Sequence, residues 1–114
     1  MSLSFLIFFL KGLIFMAKKK EGTFQAKLRK EIEEMFPGAL TMKNDSSDIQ
    51  GIPDLTIIYK DKWAMLEVKE SEKASYRPNQ KYYIDTLGKN SFVRSIYPEN
   101  KQEVLRDLQQ AFGT

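Results

Sequence analysis

Two short apolar runs, LTIIY at residues 55–59 and WAMLEV at 63–68, are separated by only Lys60, Asp61 and Lys62, and this pairing constrains the fold more than any other feature of the chain. Both runs contain β-branched or aromatic side chains and meet at polar residues, as in a β-hairpin. If Lys60 and Asp61 form a two-residue turn, Tyr59 faces Lys62. Counting outward from there, Asp54 faces Glu67. Side chains alternate between the faces of a sheet, so Asp54, Thr56, Ile58, Trp63, Met65, Glu67 and Lys69 share one face. The other carries Leu55, Ile57, Tyr59, Ala64, Leu66 and Val68, which are mostly apolar and expected to pack on a helix. Cross-strand neighbours lie about 4.5–5.5 Å apart at Cβ, so two carboxylates and an ammonium converge at the open end of the hairpin.

The remaining elements follow from periodicity. Phe24, Leu28, Ile32, Met35 and Phe36 recur at helical spacing from Thr23 onward, and Pro37-Gly38 closes the run. Residues 39–42 read as a short strand and 43–53 (KNDSSDIQGIP) as a loop. A second helix is expected over 78–87, facing inward through Tyr83, Ile84 and Leu87, with Gly88 as its stop. A strand over 92–97 ends at Pro98, and Asn100 with Glu103 marks the start of a last helix whose apolar stripe is Val104, Leu105, Leu108 and Phe112. The order α-β-β-β-α-β-α predicts an α/β fold with a mixed central sheet flanked by helices, with no internal repeat.

The first fifteen residues, MSLSFLIFFLKGLIF, hold four of the chain's eight phenylalanines, and composition changes abruptly at Met16 (MAKKKEG). The run is interrupted by Lys11 and Gly12 and is shorter than the roughly 20 apolar residues of a transmembrane helix. It lacks the leading positive charge and the small-residue cleavage site of a secretory signal. Three readings stay open: an upstream extension preceding a start at Met16, a membrane-associating segment, or a packed element. Residues 16–114 are read as one domain.

With no histidine and no cysteine, the chain excludes a zinc ribbon, a thiolate nucleophile, a Ser-His-Asp triad and a disulfide framework. Neither GxxxxGK[ST] nor GxGxxG is present. Catalysis, if any, falls to carboxylates, Lys, Tyr, amides, or a hard cation held by oxygen. The closely facing Asp54 and Glu67 repel one another unless positive charge lies between them. A divalent cation such as Mg2+ is a natural filler, able to polarise a phosphodiester and lower the pKa of a bound water, with Lys69 beside it. On spacing alone, the same residues also read as a surface Asp at a strand start and a Glu-Lys pair at a strand end.

Gly51-Ile52-Pro53-Asp54-Leu55, then Leu66-Glu67-Val68-Lys69, then Pro78-Asn79-Gln80 resemble the PD-(D/E)XK nuclease superfamily, and within it the VRR-NUC and Holliday-junction-resolvase-like branch, with small phage-encoded nucleases the nearest comparison. The resemblance covers residues 23–112 and leaves 1–15 unmatched. It implies a restriction-endonuclease-like core and a Mg2+- or Mn2+-dependent endonuclease hydrolysing DNA, structure-selective for junctions, flaps or branches. The rival class is a non-catalytic nucleic-acid-binding module on the same fold. Carried over, Asp54, Glu67 and the Val68 backbone carbonyl are metal ligands, Lys69 acts on the attacking water, and Gln80 supports the site from the second helix.

Members of this superfamily often carry an acidic residue on the first helix. Here Gln25 falls in the apolar stripe and Glu31 flanks it, leaving Gln25, Glu31 and Asp45 as accessory candidates, with Asp48 also in the preceding loop. The basic Lys43, Lys73, Arg77 and Lys81, interleaved with Tyr76, Tyr82 and Tyr83, suit a nucleic-acid backbone and unpaired bases. The formal charge of +3 permits a polyanionic partner without demanding one. The resemblance further implies a cytoplasmic protein of a bacterial or phage-infected cell, without a small-molecule cofactor and with a homodimer as a reasonable assembly.

Overall fold

The computed structural model describes residues 2–113, the side chains of 17–21 excepted. The elements are α1 (Leu3–Met35), β1 (Leu40–Lys43), β2 (Leu55–Tyr59), β3 (Lys62–Val68), α2 (Gln80–Leu87), β4 (Phe92–Ile96) and α3 (Lys101–Phe112). The strands form one sheet in the order β1-β2-β3-β4, antiparallel except for the parallel β3–β4 pair. This is the expected α/β arrangement, a mixed sheet flanked by helices.

The hairpin register is the expected one: Tyr59 faces Lys62 and Leu55 faces Leu66. Lys60 takes the left-handed conformation at φ 57° that this tight turn demands. Leu55, Ile57, Tyr59, Ala64, Leu66 and Val68 are all buried. Against them lie Leu28 and Ile32 of α1, Phe36 at its C-terminal cap, and Val104, Leu105, Leu108 and Phe112 of α3. Phe36, Tyr59 and Phe112 form an aromatic triangle with centroids 5.1–5.7 Å apart. Polar ties fix the helices to the sheet. Arg29 donates to the hydroxyl and carbonyl of Thr41, whose hydroxyl donates to Glu33 at 2.6 Å, and Arg94 pairs with Asp107 at 2.6 Å.

The sheet's other face is covered only in part. α2, the crossover between the parallel strands, packs beside β4 and leaves Ile58 exposed and Trp63 and Met65 half-buried. The inward residue of α2 is Gln80, while Tyr83, Ile84 and Leu87 are only half-buried. The helix starts at Gln80 rather than at Pro78 because Asn79 is left-handed, at φ 69°, and cannot continue a helix backwards. The short strands shift slightly, β1 to 40–43 and β4 to 92–96. Asn100 stands at the head of α3 without capping it; its side chain instead accepts from Tyr97 N and donates to Ser95 O.

The helix expected from Thr23 begins twenty residues earlier, at Leu3, with the Ser2 hydroxyl accepting from Phe5 N. Gly12 and Gly22 lower helix propensity without breaking it. The 33 residues extend about 50 Å at 1.5 Å per residue, which accounts for the elongated 57 × 27 × 23 Å envelope. None of the large apolar side chains between Leu3 and Met16 enters the core. Among the described residues, no helix is long and apolar enough to cross a membrane.

Candidate functional site

The open end of the hairpin holds the expected cluster. Asp54 directly precedes β2, and its Oδ2 accepts from Val68 N at 2.8 Å, bridging the two strands where the ladder ends. Its position is set by Asn44, just after β1. Asn44 N donates to Asp54 O at 2.8 Å, Asn44 Nδ2 donates to Pro53 O at 2.8 Å, and Asn44 Oδ1 accepts from Thr56 Oγ1 at 2.9 Å.

Glu67, at the end of β3, is 1% exposed, and its Oε2 is buried with no hydrogen-bond partner. A buried carboxylate in that state favours its proton. Burial, then a side-chain hydrogen bond with Asp54 and that residue's negative charge, push the Glu67 carboxyl up to about 9, against the opposing pull of Lys69 and Arg77. At neutral pH the folded protein therefore keeps the Glu67 carboxyl protonated.

Lys69 is 7% exposed, and its ammonium is held among Ser75, Gln80 and Tyr76. Nζ donates to Ser75 O at 2.9 Å, reaches Gln80 Oε1 at 3.5 Å and lies 4.1 Å from the centroid of the Tyr76 ring. Gln80 Oε1 also accepts from Arg77 N at 2.6 Å, closing the turn ahead of α2. The Tyr76 hydroxyl is tied to Ser95 Oγ on β4 at 2.7 Å, and Lys81 Nζ sits 5.3 Å from the same ring.

Gly51 joins the two halves of the site. It has φ 90°, and a Cβ there would fall 2.6 Å from Asn79 Cβ, so only glycine lets the loop before Asp54 close on the start of α2. Gly51, Asp54, Arg77 and Gln80 thus line one cleft of about 200 Å³.

Other expected residues lie elsewhere. Glu31 pairs with Lys101 of α3 at 2.7 Å, and the Asp45 carboxylate accepts from Ser47 N and Oγ, which holds its pKa below the usual range. Asp48 is exposed in the same loop. Among the described residues, no group of three or more acidic side chains is placed to hold a metal ion. Gln25 lies one helical turn before buried Leu28; it is half-buried, and its Nε2 is enclosed without a partner. Lys43, Lys73, Arg77 and Lys81 are all exposed, and of these Arg77 lines the cleft.

Asn44, Ser75 and the Tyr76 ring escaped the sequence reading as site-building groups. Their partners are backbone carbonyls, hydroxyls and an ammonium, which leave no periodic trace. The signals present were that Asn44 and Tyr76 sit in the connections on either side of the motif and that Tyr76 lies among basic residues. Compared with protein-family models, curated proteins and solved structures, the chain gives no significant match in any of the three.

Proposed function

We propose that the chain is a metal-dependent endonuclease of the PD-(D/E)XK kind, akin to the VRR-NUC and Holliday-junction-resolvase-like branch, hydrolysing DNA phosphodiesters in the cytoplasm of a bacterial or phage-infected cell. One observation carries this reading: Glu67 Oε2 is buried without a partner beside a second carboxylate, with a fixed ammonium two residues along. Burying such a group without compensation is costly, and structures keep it where a ligand completes it.

The donor set fits a hard divalent cation. Asp54 and Glu67 offer oxygens only, the chemistry preferred by Mg2+ or Mn2+, and the resemblance adds the Val68 carbonyl. Such an ion, when bound, supplies Lewis-acid polarisation of the phosphodiester and acidifies a water. The protein's own groups do the rest. Lys69, fixed by Ser75, Gln80 and Tyr76, orients the attacking water and balances charge developing on phosphate. Arg77, at the cleft rim, receives the DNA backbone.

Cleavage of labelled single strand, duplex, flap and four-way junction, with and without Mg2+ or Mn2+, tests the proposal. Cation-dependent cleavage that Glu67→Ala abolishes is the expected result; undiminished cleavage by that variant overturns it. A second reading, a binding module without catalysis, is favoured by Gln25 standing on the helix where the resemblance expects an acid, and by the absence of a third carboxylate among the described residues. It predicts salt-sensitive DNA binding and no cleavage with any divalent ion.

A further inference from the structure

The largest exposed apolar surface lies far from the cleft. Between Leu3 and Met16, eleven large apolar side chains are exposed, from 43% at Leu6 to 77% at Phe8. At about 100° per residue they encircle the helix: Phe8 and Phe15 lie nearly opposite Leu6 and Leu13, and only Ser4 and Lys11, seven residues apart, form a narrow polar line.

That pattern selects the occupant. A helix that pairs with a second copy carries one apolar seam and polar residues outside it, so its partner covers what water should not touch. Here a partner helix on any one side leaves large aromatic or aliphatic residues in water on the other. Hydrocarbon covers all sides at once. The fourteen residues from 3 to 16 rise about 21 Å, too short for the roughly 30 Å of a bilayer's hydrocarbon core and longer than the roughly 15 Å of one leaflet, so the segment enters one leaflet at a tilt and does not span. The sequence then continues with Lys18-Lys19-Lys20, a run of positive charge that suits anionic headgroups, and Lys11 has a long apolar stem that lets its ammonium reach the interface.

We propose that residues 3–16 insert into one leaflet of an anionic lipid bilayer, with Lys18–Lys20 against the headgroups, holding the domain at a membrane surface. This does not depend on the nuclease reading, since lipid binding is measured without any cleavage.

The test is flotation of the full chain with phosphatidylcholine vesicles, with and without phosphatidylserine, beside the triple variant Leu6→Glu, Phe9→Glu, Leu13→Glu. These three side chains lie outside the core, so the variant should keep the thermal unfolding midpoint of the domain. The expected result is that wild type floats with phosphatidylserine vesicles, that binding falls about tenfold on neutral vesicles or in high salt, and that the variant stays in the aqueous fraction. Wild type that does not float with either vesicle, or a variant that floats like wild type, overturns the proposal. So does a discrete lipid-free oligomer that the three substitutions dissociate, which would assign the segment to a second copy.

Discussion

The two faces of the β2–β3 hairpin alternate along the same residues yet do opposite work. One face is uniform: Leu55, Ile57, Ala64 and Leu66 are fully buried against α1 and α3, and any of them is defined by volume alone. The other passes from exposed Ile58 through half-buried Trp63 and Met65 to a wholly buried carboxylate at its open end. The apolar face holds the register, and that register forces Glu67 next to Asp54. The packing of one face thus maintains a buried carboxyl with an unpartnered oxygen on the other.

Substitutions on the two faces should therefore separate stability from activity. Under the proposed mechanism, in which the Lys69 ammonium balances charge that develops in the reaction, Lys69→Ala should reduce cleavage by about 10³-fold or more while most of the domain's stability survives. Ile57→Ala, one residue from the acid face, should cost about 2–5 kcal/mol in denaturant unfolding and leave the activity of the remaining folded protein nearly intact. If Ile57→Ala abolishes activity at full folding, or Lys69→Ala unfolds the chain, the faces are not separable.

The acid face also makes stability depend on pH. In the unfolded chain Glu67 titrates near 4.5, and in the folded, metal-free protein it keeps its proton to about 9. Between those values the folded state holds a proton that the unfolded state lacks, so its contribution is full below 4.5 and is lost as pH rises towards 9. The slope for one such proton is at most ~1.4 kcal/mol per pH unit. Urea unfolding in chelator should show stability falling across this window. Glu67→Gln should flatten the profile, and saturating Mg2+ should stabilise the protein most at its alkaline end. A wild-type profile as flat as the variant's would remove the buried acid from the account.

The apolar face was legible in the sequence because only one alternation of LTIIY and WAMLEV buries Leu55, Ile57 and Leu66 together, and the two-residue turn at Lys60-Asp61 then set Asp54 opposite Glu67 on the other face. Gly51 and Pro78-Asn79-Gln80 were also marked, but not that they touch, since the left-handed turn at Asn79 that brings them together has no periodic signature. The reach of α1 was hidden for a different reason. The composition break at Met16 suggested a structural break, whereas backbone hydrogen bonding continues through any residues of sufficient helix propensity, whatever covers their side chains. Asn44 was passed over as a loop residue because its value lies in three bonds made possible only once β1 and β2 are paired. Asn44→Ala should cost about 1–3 kcal/mol by leaving Pro53 O and the Thr56 hydroxyl without their partner, and should loosen Asp54 enough to raise the Mg2+ needed for half-maximal cleavage.

The smallest effect expected belongs to Tyr76, and it is informative because the residue is partly exposed and contributes nothing to the apolar core. Its ring face lies against the Lys69 ammonium while its hydroxyl is anchored on Ser95, so the ring links β4 to the ammonium to which the proposed mechanism gives the water. A contact of this kind contributes about 0.5–2 kcal/mol, equivalent to roughly 2–30-fold in rate if all of it serves positioning. Tyr76→Leu should lower the turnover rate within that range with little change in unfolding midpoint. Tyr76→Phe, which keeps the ring and loses only the anchor, should lie between that variant and wild type. In the wild-type protein the methylene protons next to Lys69 Nζ should carry an upfield ring-current shift that Phe retains and Leu abolishes. If Leu slows cleavage while that shift persists unchanged, the ring does not position the ammonium, and contacts such as those to Ser75 O and Gln80 hold Lys69 in place instead.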